Sequence, residues 1–191
     1  MTRPSLFGFG STGVWIDTEG PSVTIEQAIK TGIEFEIEVR HVYSEAAKKF
    51  KDPVARKIFG VLADEEDRHV QYLESRLEEW EKTGAVTAAA LETAIPSQEA
   101  IDGALSKLTR RMAVQDFGVE LEMLKKALAL EIEATKFFSQ MVVELKDEEK
   151  KLFARFVEIE TGHEAIVQAE IDAITGLGFW FDYMEFRLEG A

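Results

Sequence analysis

Two short motifs concentrate the chemistry of this 191-residue chain: Glu66-Asp67-Arg68-His69 and Glu160-Thr161-Gly162-His163, each a Glu-x-x-His. Residues three apart on a helix sit on adjacent turns, about 4.5 Å apart along the axis, so a carboxylate and an imidazole at that spacing address one small volume and form a ready chelate. Both motifs interrupt apolar stripes. One runs Phe59, Leu62, Glu66, His69, Leu73, Leu77, Trp80; the other runs Phe153, Phe156, Glu160, His163, Val167, Glu170, Ile174. Two more stripes are each broken by a carboxylate: Ile29, Ile33, Glu36, Arg40, Tyr43, Ala47, Phe50, and Leu121, Leu124, Leu128, Glu131, Thr135, Phe138, Val142, Leu145. Four carboxylates buried without partners would each cost several kcal/mol or be forced to protonate. Two divalent cations would balance them. Glu36, Glu66, His69, Glu131, Glu160 and His163 are therefore the candidate metal ligands. Mixed carboxylate and imidazole donors suit iron or manganese, with zinc possible and calcium or magnesium disfavoured by the histidines.

A single Glu-x-x-His in so acidic a chain is weak evidence, and Glu38-Val39-Arg40-His41 is a third example. Glu34, Glu38, His41 and Glu45 share one helical face opposite the apolar stripe, so this third motif reads as a solvated surface. The other two gain specificity from an internal repeat. Glu36 and Glu131, Tyr43 and Phe138, and Asp52 and Asp147 are all 95 residues apart, while Glu66 and Glu160, and His69 and His163, are 94 apart. Two helical hairpins thus look like copies of one unit. Tyr43, two turns from Glu36, is placed to hydrogen-bond a ligand carboxylate without ligating the metal itself; Phe138 lacks the hydroxyl to do the same. Arg40 is expected to extend outward instead of pairing with Glu36. Glu133 and Glu170 read as spare carboxylates, solvated or salt-bridged.

These residues need long helices to position them. Amphipathic periodicity predicts helix A from Val23 to Lys51, with Thr24 as N-cap and Glu26 or Gln27 completing the cap. Asp52-Pro53 breaks it and starts helix B, which runs to about Lys82. Helix C spans Phe117 to Leu145, and after the turn at Lys146-Asp147 helix D runs to about Ile174, where Gly176 and Gly178 stop it. Residues 1–22 form an N-terminal arm and 176–191 an aromatic tail. The connection 83–116 is expected to be a crossover carrying short helical pieces. Short A–B and C–D links with one long B–C link predict a single all-α domain, a four-helix bundle of ferritin-like order.

Composition narrows the partners. Asp and Glu number 36 against 22 Lys and Arg, a formal net charge of −14, which argues against nucleic acid. No apolar run approaches the roughly 20 residues that span a bilayer, so a cytoplasmic protein with no membrane partner is expected. There is no cysteine, hence no thiolate-held iron or zinc in the sequence.

Glu36 seven residues before Tyr43, Asp52-Pro53 and Ala63-Asp64-Glu65-Glu66-Asp67-Arg68-His69 resemble the first half of a rubrerythrin-type di-iron domain. Glu131 through Glu160-Thr161-Gly162-His163 resembles the second, so residues 24–174 resemble the rubrerythrin and ferritin-like superfamily. The resemblance implies two iron ions on the six residues named above, with hydrogen peroxide or dioxygen as the oxidant and a homodimer as the assembly. It departs from the family pattern in two places. Rubrerythrins usually carry a rubredoxin-like module with four cysteines, so this chain is expected to draw electrons from a separate donor protein. They also usually add a carboxylate one turn after the helix C ligand, where Ala134 stands here. The remaining six ligands are similar to those of bacterial ferroxidase sites. Ferroxidase or iron-storage chemistry and a di-manganese catalase-like activity are therefore the alternatives to a peroxidase or oxidase.

Overall fold

The computed structural model describes residues 23–93 and 118–175. The expected N-terminal arm, the aromatic tail and the rest of the connection lie outside them. Among the described residues there are four helices and no strand: α1 (Ile25–Lys49), α2 (Pro53–Thr83), α3 (Gly118–Glu144) and α4 (Asp147–Thr175), consistent with a four-helix bundle.

Local chemistry sets the helix ends. Thr24 caps α1 in a capping box: its hydroxyl accepts from the Gln27 amide at 3.3 Å, and the Gln27 side chain accepts from the Thr24 amide at 3.1 Å. Phe50 turns extended and ends the helix. Asp52 then accepts from the Ala55 amide at 2.9 Å, capping α2 ahead of Pro53, whose missing N–H costs nothing in a first turn. The α3–α4 turn is equally tight, with Asp147 at φ 50°, a left-handed conformation that Asp tolerates better than most residues.

Contacts fix the helix directions. Phe50 packs on Phe59 beside the α1–α2 turn while Glu36 meets His69 further along, so these helices are antiparallel. Phe138 with Phe153 and Glu131 with His163 make α3 and α4 antiparallel too. The α1–α3 pair is matched by Lys51 to Glu120, Tyr43 to Glu131 and Phe35 to Phe137; the α2–α4 pair is matched by Glu66 to His163 and Tyr72 to Phe156. Each of these pairs is antiparallel as well, so α2 and α3 point the same way.

The α2–α3 connection is described only over residues 84–93; the rest of the crossover, for which short helical pieces are expected, lies outside the described residues. Ala85 to Ala90 is not helical. Gly84, at φ 71°, ends α2, and a run this short cannot nucleate a helix on composition alone. Its backbone is instead held by side chains of α2 and α4. Tyr72 donates to the Ala89 carbonyl at 2.9 Å, Arg155 to the Leu91 carbonyl at 3.1 Å, and the Ala88 amide donates to Glu148 at 3.2 Å.

The core is divided in two. One cluster, with Ile29, Leu73, Phe138, Phe153 and Phe156, fills the half toward the α3–α4 turn. The other, with Tyr43, Phe59, Leu62, Leu124 and Val167, fills the half toward the α1–α2 turn. On α1 the buried face is rotated from the expected stripe: Ala28, Gly32, Val39, Val42 and Ala46 are buried, while Ile33, Arg40 and Ala47 are only half-buried. Small residues let the helices approach closely on that side. A Cβ on Gly32 would lie 3.2 Å from both Leu73 Cδ1 and Phe138 Cε1. Gly32→Val is accordingly expected to lose about 1–3 kcal/mol through overpacking, read from denaturant unfolding; an unchanged midpoint would show that the interface has slack.

Candidate metal centre

Between the two apolar clusters, at mid-height of the bundle, the six candidate ligands converge. Glu36 comes from α1, Glu66 and His69 from α2, Glu131 from α3, and Glu160 and His163 from α4; all are at most 1% exposed. Nδ1 of His69 is 3.1 Å from Glu36 Oε2, 3.1 Å from Glu66 Oε2 and 3.5 Å from Glu160 Oε1. Nδ1 of His163 is 2.8 Å from Glu66 Oε1, 2.9 Å from Glu160 Oε2 and 3.6 Å from Glu131 Oε1. The two imidazoles stack, with centroids 5.7 Å apart and planes 20° from parallel. The side chains fall into two overlapping groups that could each hold a metal ion: Glu36, Glu66, His69, Glu160, and Glu66, Glu131, Glu160, His163. Within each group the donor atoms lie within 4.8 Å of one another. Glu66 and Glu160 belong to both.

The donor set fits a cation better than it fits itself. Glu36 Oε1, Glu66 Oε1, Glu131 Oε2, Glu160 Oε1 and His163 Nδ1 are buried yet make no hydrogen bond among the described residues. His163 Nδ1 and Glu66 Oε1 are close but misaligned for hydrogen bonding, as atoms aimed at a shared point would be. Burial and the neighbouring Glu66 push the Glu36 carboxyl well above its ordinary range, and burial with Glu36 and Glu66 does the same to Glu160. Burial also raises Glu66, although His163 opposes it. Burial would lower His163, but Glu66 and Glu160 outweigh it and raise the imidazole well above its usual value. Bound cations would relieve this strain directly, because positive charge at the common point favours ionised carboxylates and neutral imidazoles.

Neighbouring side chains brace the cluster. Tyr43 is fully buried and its hydroxyl donates to Glu131 Oε1. Burial and Glu131 push the Tyr43 phenol well above its ordinary range, so it remains a donor. Arg40 reaches Asp67, away from Glu36 and partly exposed. Glu34, Glu38 and His41 are exposed and Glu45 is half-buried, so the third Glu-x-x-His takes no part in the cluster.

Three buried carboxylates fall outside the expected set. Glu120 accepts from the Lys51 amide at 3.0 Å and ties the α1–α2 turn to α3. Glu65 is fully buried, 3.8 Å from His163 Nε2 and hydrogen-bonded to Thr93; burial would raise its carboxyl, but His163 and Thr93 outweigh this and bring it to about 2. Its spacing was a signal: three residues after Leu62 and four before His69 is a second buried row on α2.

Glu170 is the correction. Expected to be solvated or salt-bridged, it is 1% exposed, with Oε1 unbonded among the described residues. It follows His163 by two turns on the same face of α4, which carries it into the core. Glu133 is exposed, as expected of a spare carboxylate.

Comparison with family models, curated proteins and solved structures finds no match. No described helix is long and apolar enough to cross a membrane.

Burial, reinforced by Asp52, lifts Glu170 from the ordinary 4.5 to about 8. The folded chain therefore holds a proton that the unfolded chain releases between these values, so this residue's contribution falls as pH rises from about 4.5 to about 8. Glu170→Gln removes the liability. The variant is expected to exceed the parent in stability by on the order of a few kcal/mol above pH 8, with the gap closing below pH 5, as read from unfolding curves across pH. A gap independent of pH would refute the buried acid.

Proposed function

We propose that the chain is a di-iron carboxylate oxidoreductase of ferritin-like architecture, reacting Fe(II) with hydrogen peroxide or dioxygen. The observation that carries this reading is the overlap of the two donor groups. Glu66 and Glu160 are common to both, and each group is completed by one glutamate and one histidine. Sequence left Glu66, Glu131 and Glu160 open as residues that would hold both ions; the overlap favours Glu66 and Glu160 for that role, while Glu131 would hold one ion and Glu36 the other. The parallel direction of α2 and α3 supports the ferritin-like order, in which helices B and C run the same way. Residues 84–93 run back along α2.

When bound, a pair of ferrous ions supplies two electrons for reducing a peroxide or dioxygen. The protein supplies geometry and charge. Nδ1 of each histidine faces the carboxylates, so each ring can hold a neutral nitrogen toward the centre. Tyr43 donates to Glu131 Oε1 and leaves Oε2 directed elsewhere. The aromatic walls of Phe59, Phe138 and Phe156 keep the cluster dry, which strengthens its electrostatics. Electrons for repeated turnover would come from a separate donor protein, and the assembly would be a homodimer.

One observation favours a second reading, ferroxidase or iron handling: Ala134, one turn after Glu131, is buried and offers no seventh carboxylate. Assembly state and oxidant separate the two. A dimer whose Fe(II) form reacts fastest with peroxide, and turns over with a donor, supports the oxidoreductase; a large closed shell reacting with dioxygen supports storage. Disproportionation of peroxide by manganese-loaded protein without a donor would instead indicate catalase-like chemistry.

Iron analysis of anaerobically loaded protein is expected to give two ions per chain, falling to one in Glu131→Ala or His163→Ala. Two ions retained at unchanged affinity in both variants would refute the assignment.

A further inference from the structure

The two halves of the centre are copies in sequence but not in their supports. Tyr43, which donates to Glu131, corresponds to Phe138 in the repeat. Phe138 is buried beside Gly32 of α1, the helix that carries Glu36, yet it has no hydroxyl to offer, and Glu36 Oε1 makes no hydrogen bond among the described residues. Glu65, whose Oε2 faces His163 Nε2 at 3.8 Å, an ion-pair separation that a small closure would turn into a hydrogen bond, immediately precedes Glu66. Its counterpart before Glu160 is Ile159, buried in the apolar cluster. Neither Nε2 makes a hydrogen bond, but that of His69 also lacks an ion-pair carboxylate within 4.0 Å among the described residues, and its ring sits edge-on to Phe156 at 5.4 Å. Both polar braces therefore act on one group, Glu66-Glu131-Glu160-His163. The other meets the Phe156 ring, itself packed on Phe138.

From this we infer that the two metal positions are inequivalent: the position completed by His163 and Glu131 binds more tightly and fills first, with Glu65 as the positioning residue that sets the difference. The inference rests on the metal-centre reading above. A carboxylate on the far nitrogen of a ligating imidazole fixes its tautomer and orientation and makes it a better donor, and loss of such a partner typically lowers metal affinity 10–100-fold. Tyr43 adds to the same side by holding Glu131 in one orientation. Thr93, hydrogen-bonded to Glu65, lets the returning segment hold the carboxylate against α4.

The test is anaerobic titration of the metal-free full chain with Co(II), followed by calorimetry and by visible absorption, which reports the ligand field of each ion. Wild type is expected to fill in two steps with dissociation constants at least tenfold apart. His163→Ala should delete the tighter step and His69→Ala the weaker one. Glu65→Gln should weaken the tighter step by roughly tenfold or more and alter its spectrum, leaving the second step unmoved. A merely structural role would move both. Should Glu65→Gln not fold, the two histidine variants still decide which position is tighter. Two steps of equal affinity in wild type, or a Glu65→Gln titration matching it, would overturn the inference while leaving the dinuclear reading intact. Failure of the wild-type chain to take up Co(II) would overturn both.

Discussion

Four glutamates and two histidines occupy the dry interior of a bundle whose remaining core is apolar. In that medium charges of like sign cannot coexist without compensation: either the carboxyls take up protons, toward which their raised ranges lean, or a cation sits at their common point. This constraint organises the rest of the molecule. It divides the apolar core into two clusters. It requires long helices, because a helix must extend past the polar level on both sides to bury enough surface to hold that level in place. It also explains why His163 Nδ1, at hydrogen-bonding separation from Glu66 and Glu160, fails to align with either.

The supports around the cluster follow from the same need. Tyr43 orients Glu131 from α1, so a helix contributing one donor to one group also braces a donor of the other. Glu120 closes the α1–α2 turn onto α3, and residues 84–93 lie against α2 and α4, covering one seam of the bundle with backbone whose polar groups are met by Tyr72, Arg155 and Glu148. Glu65 is continuous with that seam through Thr93. Glu65 thus stands between the cluster, which it faces at His163 Nε2, and the covering segment, to which it is hydrogen-bonded.

Much of this was legible in the residues. Thr24, Asp52-Pro53 and Asp147 mark helix ends through cap and turn chemistry, and the structure places those ends within two residues of expectation. The six converging side chains stood out because charged residues interrupted apolar stripes, and duplication separated them from the decoy at Glu38 and His41. Other features were not legible, for physical reasons. On α1 the buried face turned toward Gly32 because helix approach depends on a neighbour's bulk, here Leu73 and Phe138, which local periodicity does not encode. Glu170 read as a spare carboxylate, solvated or salt-bridged, although it continues the stripe of Val167 and Ile174; its burial depends on the packing of α4 against the α1–α2 end of the bundle.

The most direct examination of the central claim is anomalous diffraction from crystals loaded with Fe(II) under anaerobic conditions, measured on both sides of the iron absorption edge. The account predicts two iron peaks within the cluster, one beside Glu36 and His69 and the other beside Glu131 and His163, with Glu66 and Glu160 between them. Iron located elsewhere on the chain, or a cluster that holds no anomalous scatterer while its carboxylates hydrogen-bond to one another, would contradict it.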